Sequence, residues 1–155
     1  MQIHIIAVGE RMPDWVEAGY EVYARRLPRE CRLVLHEIPA GRRTKGADLG
    51  RLIGKEGARQ LAAIPAGARV VALDVLGRQM DTEALAADLR KRLAGGLDLA
   101  LLIGGPEGLA PACRARADDR WALSRLTMAH PVVRVVLAEQ LYRAWSIIQN
   151  LPYHR

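Results

Sequence analysis

The chain of 155 residues contains no phenylalanine, only two cysteines and 5% aromatic residues. So few rings exclude an extended stacking platform for single-stranded nucleic acid, which needs an aromatic face for each of several bases. Cys31 and Cys113 lie far apart with no C-x-x-C spacing, which argues against a thiolate zinc site and against a disulfide framework. A reducing cytoplasm is the expected location. No apolar run is long enough to cross a bilayer, and the start MQIHIIAVGE lacks the basic, apolar and small-residue parts of a secretion signal, so no membrane partner is expected. The dinucleotide fingerprint G-x-G-x-x-G, the phosphate loop G-x-x-x-x-G-K-[ST], the nucleophile elbow G-x-S-x-G and the zinc motif H-E-x-x-H are all missing. Gly50 to Lys55 (GRLIGK) is too short for the phosphate loop and has no hydroxyl residue to hold magnesium.

What is present describes one folded domain over residues 1–155. Half of the residues are hydrophobic and 26% are charged, ordinary values for a globular protein of a size that buries most of its unfolded surface. The net charge of +6 favours a polyanionic partner, although charge alone fits a dispersed, solvated surface equally well. Strand-like runs at Gln2 to Val8, Cys31 to Ile38, Arg69 to Val75, Asp98 to Ile103 and Trp121 to Leu123 alternate with helical periodicity after Pro13, over Asp48 to Ile64, after Asp81 and from His130 onward. That alternation predicts an α/β fold with a mostly parallel sheet flanked by helices. Gly95-Gly96 is placed to end the helix that Asp81 caps, and Leu76-Gly77-Arg78 is expected to turn away from the third strand.

Two segments carry chemistry. Gly104-Gly105-Pro106-Glu107-Gly108 follows a buried strand, where adjacent glycines permit positive φ and let a backbone approach a ligand. The plainer reading is a tight strand-to-helix connection. The second segment is the C-terminal thirty residues. His130-Pro131 opens a helix whose apolar face, Val133, Val136, Leu137, Leu141, Ala144, Trp145 and Ile148, is wide enough for burial on two sides, by its own sheet and by a second subunit. A core helix in a monomer is the competing explanation. Beyond it stand Tyr153, His154 and Arg155, side chains suited to protons and phosphates rather than to an idle terminus. With Arg134 and Arg143 they suggest an anion-binding site, and Glu139 is spaced for an i,i+4 pair with Arg143.

LLIGGPEGL at Leu101 to Leu109, LSRLTMAHPVVRVVLAEQLYRAWSI at Leu123 to Ile147 and PYHR at Pro152 to Arg155 together resemble the RlmH family of SPOUT-class RNA methyltransferases. MPDWV near Trp15 and EIPAGRR at Glu37 to Arg43 extend the resemblance over essentially the whole chain. It implies a SPOUT-type trefoil-knotted fold, a homodimer formed through the C-terminal helix, and S-adenosylmethionine as cofactor. It also implies methyl transfer to N3 of a pseudouridine in the helix 69 loop of 23S rRNA, within the assembled 70S ribosome.

By motif position, Leu73, Gly104, Gly105, Leu123, Ser124, Arg125, Leu126, Thr127 and Met128 are implied to form the cofactor site. Arg125 stands where some relatives carry small residues, so its side chain is expected to point outward. A base of near-neutral pKa suits the weakly acidic imide N–H, which makes His154 or His130 the proton acceptor. On this reading His154 and Arg155 of one subunit face the cofactor of the other, Tyr153 packs against the target base and His130 positions the loop. Arg42, Arg43 and Lys45, with Arg134 and Arg143, are expected to hold rRNA phosphates. Two other functions remain compatible with parts of the chain. A noncatalytic ribosome-associated RNA-binding factor on the same fold would use only the basic patch, and a nucleotide-binding enzyme of flavodoxin-like order would leave PYHR idle.

Overall fold

The computed structural model describes residues 1–154. Five parallel strands, β1 (Ile3–Val8), β2 (Leu33–Ile38), β3 (Arg69–Gln79), β4 (Leu99–Ile103) and β5 (Asp119–Ala122), lie in the order β2-β1-β4-β3-β5. Every residue of β1 and β4 is buried. Their unbroken apolar character therefore reflects coverage on both faces, as in parallel sheets generally. Ile3, Ile5, Leu99, Leu101 and Ile103 face one layer, formed by α1 (Asp14–Ala24), α3 (Thr82–Gly95) and α5 (His130–Ile148). Ile6, Val70, Ala72, Ala100 and Leu102 face the other, formed by α2 (Leu49–Ala62) and the short α4 (Pro111–Arg116).

Helix ends follow local chemistry. The carboxylates of Asp48 and Asp81 accept hydrogen bonds from Arg51 N and Ala84 N, and Gly96 closes α3 at φ 71°, the left-handed geometry that favours glycine. Sequence periodicity does not reveal α4, whose one marker is Pro111 in its first turn. Nor does it foresee the buried face of α2, which carries Glu56 and Gln60 rather than leucines. Gln60 is buried because its Nε2 donates to the carbonyls of Ile6 and Ile103, each at 3.0 Å. It thereby clamps β1 to β4 just below their carboxyl ends.

β3 departs from expectation in a useful way. Instead of turning away after Val75, it loops out at Asp74–Gly77 and resumes, so that Leu73 and Arg78 both pair with Trp121. Asp74 shapes this excursion by accepting from Leu76 N at 3.0 Å. Helix α5 packs between α1 and α3 and buries Leu137, Leu141, Ala144 and Trp145 within its own chain. Much of its apolar breadth is thus used internally.

At the opposite end of the sheet, His4 Nδ1 and His36 Nε2 lie 2.9 Å apart, and Asp98 Oδ2 lies 3.6 Å from His4 Nε2. A hydrogen bond between two imidazoles requires one proton on the shared axis, and full protonation of both rings sets two donors face to face. Burial, and then the neighbouring His4, push the His36 pKa below the ordinary 6.5. The folded state therefore binds fewer protons than the unfolded chain, and stability falls as pH drops below about 6.5. We expect the urea midpoint to fall between pH 7 and pH 5 in the wild type and to fall less in His36→Gln. The difference should be about 1 kcal/mol, the worth of the lost bond, and parallel pH profiles would refute the shared proton.

Candidate functional site

Parallel strands bring their carboxyl ends to one edge, and there the chain leaves β1 at Gly9, β4 at Gly104 and β5 at Leu123 while β3 makes its excursion at Asp74. A cleft of about 310 Å³ opens between these exits, within the range of small-molecule sites. Leu73, Gly104, Gly105, Leu123, Ser124, Leu126, Thr127 and Met128 line it, so eight of the nine positions expected at the cofactor site meet at one cavity. The ninth, Arg125, points away as expected and donates to Gln79 Oε1 at 3.3 Å.

The glycine turn is a closed loop. Gly108 N donates to Gly105 O at 2.9 Å, and the left-handed residue is Gly108, at φ 86°, rather than either member of the adjacent pair. Gly104 is required for a different reason. A Cβ there would lie 2.5 Å from both Gly108 O and Leu109 N, well inside van der Waals contact with backbone. The turn presents peptide groups to a cleft whose other walls include Leu73, Leu109, Leu123 and Met128. Asp74 and Glu107 add carboxylates. Apolar walls and a close peptide edge suit S-adenosylmethionine, which combines a flat base and polar edges.

Of the histidines, His130 lines the cleft. Burial, then the cations Arg134 and Arg43, hold its pKa below the usual imidazole value, so the ring stands neutral at neutral pH, with a nitrogen lone pair free. His154 and Tyr153 are not among the residues lining the cleft. Tyr153 folds back along α5, donates to Glu139 Oε1 at 3.0 Å and meets Tyr142 edge-on at 4.7 Å. Glu139 lies nine residues beyond His130, or roughly 13 Å along the helix axis. His154 Nδ1 is buried without a hydrogen-bond partner among the described residues. Arg155 lies outside them.

The five basic positions assigned to RNA separate into two groups. Arg42 and Lys45 are exposed. Arg134 is 1% exposed and donates to Glu37 at 2.7 Å and to Gly9 O at 2.7 Å, so it braces the β1 and β2 exits and no phosphate reaches it. Arg143 is held by Glu139, with Nε donating to Oε1 at 2.9 Å, and its guanidinium lies over the Tyr153 ring. Arg43 is likewise engaged inside the protein, by Glu56 and Glu107. Sequence reading placed these three at the surface because arginine is usually exposed. Their acidic partners lie 97, 4 and up to 64 residues away, and of these only Glu139 shows itself by spacing. Asp74 and Arg114, a 3.0 Å ion pair on the cleft wall, carry no sequence signature at all.

Comparison with known proteins agrees with this geometry. A family model described as "Predicted SPOUT methyltransferase" matches residues 1–154. Two proteins called ribosomal RNA large subunit methyltransferase H are similar over the full chain. The one from Thioalkalivibrio sulfidiphilus is 61% identical, covering 100% of this chain and 99% of its own, and the one from Methylococcus capsulatus is 56% identical, covering 100% of both. Among solved structures, a probable methyltransferase from Bordetella pertussis superposes with a TM-score of 0.54 at 14% identity, over 92% of this chain and 95% of that one. A Legionella pneumophila protein assigned as a methyltransferase and solved with S-adenosylmethionine bound gives 0.50 at 9% identity, over 93% of this chain and 66% of its own. Full-length identity of this order, on a parallel sheet with a glycine-turn cleft at its carboxyl edge, makes the chain a member of the SPOUT methyltransferase family, among the large-subunit methyltransferase H proteins.

Proposed function

We propose that this S-adenosylmethionine-dependent methyltransferase acts as a single-domain, knotted homodimer on 23S rRNA in the assembled ribosome, methylating N3 of a pseudouridine in the helix 69 loop. One observation carries the reading: the glycine turn, the 123–128 loop and His130 converge on one cleft, while Tyr153 and His154 lie outside its lining. The bound cofactor supplies an activated methyl electrophile, so the protein's work is alignment and proton removal. The glycine turn and the 123–128 loop hold the cofactor side of the site. His130 is placed to take the N3 proton, or to steady the loop while His154 of a second copy takes it. Exposed Arg42 and Lys45 give register on the phosphate backbone without reading sequence.

A shared site explains why Tyr153 and His154 lie away from their own cleft. It also fits the apolar lips of the cleft, where Val75 is 58% and Leu126 77% exposed. Homodimerisation is measured directly by mixing two inactive variants, Gly104→Ala and the double variant His154→Ala, Arg155→Ala. Random pairing restores about a quarter of wild-type activity if each site joins one subunit's cleft to the other's tail. No restoration means the tail serves its own cleft. The substrate assignment is checked by methyl transfer to 70S ribosomes lacking the modification, beside isolated subunits and free rRNA. Equal activity on an unmodified uridine would overturn the pseudouridine specificity. No helix among the described residues is long and apolar enough to cross a membrane, and a cytoplasmic location accords with a ribosomal substrate.

A further inference from the structure

Arg43 belongs to the connection between β2 and α2, flanked by the exposed Arg42 and Lys45. Its own guanidinium turns inward. Nη1 donates to Gly41 O at 2.9 Å and forms a close ion pair with Glu56 Oε1. Nη2 donates to Glu56 Oε2 at 3.0 Å and to Glu107 Oε2 at 2.8 Å, and Nε donates to Glu107 Oε1 at 3.3 Å. A guanidinium has five N–H groups, and these five bonds use them all. No donor remains for a phosphate.

Both carboxylates are tied to the scaffold. Glu56 is a buried residue of α2, its side chain 4% exposed, and it also accepts from Gly41 N at 2.9 Å. Glu107 is the one acid of the glycine turn and lines the cleft. The guanidinium also lies against the turn itself, since a Cβ on Gly105 would be 3.5 Å from Nη2. Its hydrogen bonds, and then its charge, draw the Glu107 pKa below the ordinary carboxylate value, which keeps the tether ionised throughout the neutral range.

We propose that Arg43 is a positioning residue rather than a phosphate ligand: by bridging Glu56 of α2 to Glu107 of the glycine turn it holds the turn in its binding conformation and so sets cofactor affinity. The proposal rests on the reading that S-adenosylmethionine occupies the cleft. It gives adjacent residues opposite tasks, with Arg42 and Lys45 facing the RNA and Arg43 facing the cofactor loop. The two ligands are then linked through one short segment, and such linkage is reciprocal.

The test is calorimetric titration of S-adenosylmethionine into the wild type, Glu107→Gln, Arg43→Gln, Arg43→Lys and the double variant Arg43→Gln, Glu107→Gln, with 70S binding and thermal midpoint measured for each. Glu107→Gln leaves the Arg43–Glu56 pair intact, so unchanged cofactor affinity in this variant refutes the bridge even if stranding Glu56 unfolds the arginine variants. The expected result is a rise in cofactor Kd of about fivefold or more in Glu107→Gln and Arg43→Gln, the lower end of typical coupling, with ribosome affinity within about twofold of wild type. The double variant should be no worse than Arg43→Gln, and Arg43→Lys should recover part of the loss. Additive effects would show that Glu107 meets the cofactor independently and would overturn the bridge. Unchanged cofactor affinity with weaker ribosome binding and a salt slope lower by about one would make Arg43 a phosphate ligand. If the wild type binds the cofactor and the variants bind it equally, the bridge alone fails. If the wild type does not bind it, the cofactor assignment of the cleft fails first.

Discussion

Gly104→Ala is expected to raise the dissociation constant for S-adenosylmethionine at least about a hundredfold, close to 2.8 kcal/mol at 1.4 kcal/mol per decade, and to abolish methyl transfer. The methyl group would sit 2.5 Å from Gly108 O and Leu109 N. Both belong to backbone: Gly108 N is bonded to Gly105 O, and Leu109 is 4% exposed against the α2 and α4 layer. Neither can retreat as a flexible side-chain end would, so relief requires opening the turn that forms one wall of the cleft. The same substitution at Gly105 meets side chains alone, Val8 Cγ1 at 3.2 Å and Arg43 Nη2 at 3.5 Å, and a small shift relieves the closer of them. Gly105→Ala should therefore cost about tenfold or less. Calorimetry on the two variants, with circular dichroism to show retained fold, checks the pair. Near-wild-type affinity in Gly104→Ala would mean that the turn does not form the cofactor wall.

Arg134→Met is expected to destabilise the protein by about 3 kcal/mol, lowering the thermal midpoint by roughly 6–12 °C for a domain of this size. The guanidinium sits where β1, β2 and the first turn of α5 meet, donating to Glu37 at 2.7 Å and to Gly9 O at 2.7 Å, with Val8 O at 3.4 Å. Methionine fills most of the volume but leaves two carbonyls without their charged donor, and that stranded polarity dominates the cost. Glu37, with a side chain 34% exposed, regains water and moderates the loss. Lysine restores the charge but not the fork, so Arg134→Lys should fall between methionine and wild type. A phosphate ligand behaves in the opposite way, leaving the midpoint alone and weakening ribosome binding in a salt-dependent manner. An unchanged midpoint in Arg134→Met would return Arg134 to the RNA surface.

These two positions show how differently the site was legible from the chain. The glycine turn declares itself because a strand-ending GGPEG has few physical uses, and its neighbours at 123–128 are recognisable as a motif. Periodicity and caps likewise foretold α3 and α5, since Asp81, Gly96 and Pro131 act on backbone groups only a few residues away. α4 escaped because six residues hold less than two turns of periodicity. The excursion in β3 escaped because Trp121, which pairs on both sides of it, comes more than forty residues later.

The arginines mark the boundary between the two kinds of information. Their number and net charge are properties of the chain, and they justify expecting an anionic partner. Whether a given guanidinium faces solvent depends on carboxylates brought near by folding: Glu37 beside Arg134, and Glu56 and Glu107 around Arg43. Local order alone establishes the elements, the caps, the glycine turn and the motif that marks a SPOUT methyltransferase, because each depends on contacts within a few residues. The strand order β2-β1-β4-β3-β5, the cleft at its carboxyl edge and the inward arginines arise only when distant segments pack, because burial makes an ion pair out of residues that in sequence are strangers.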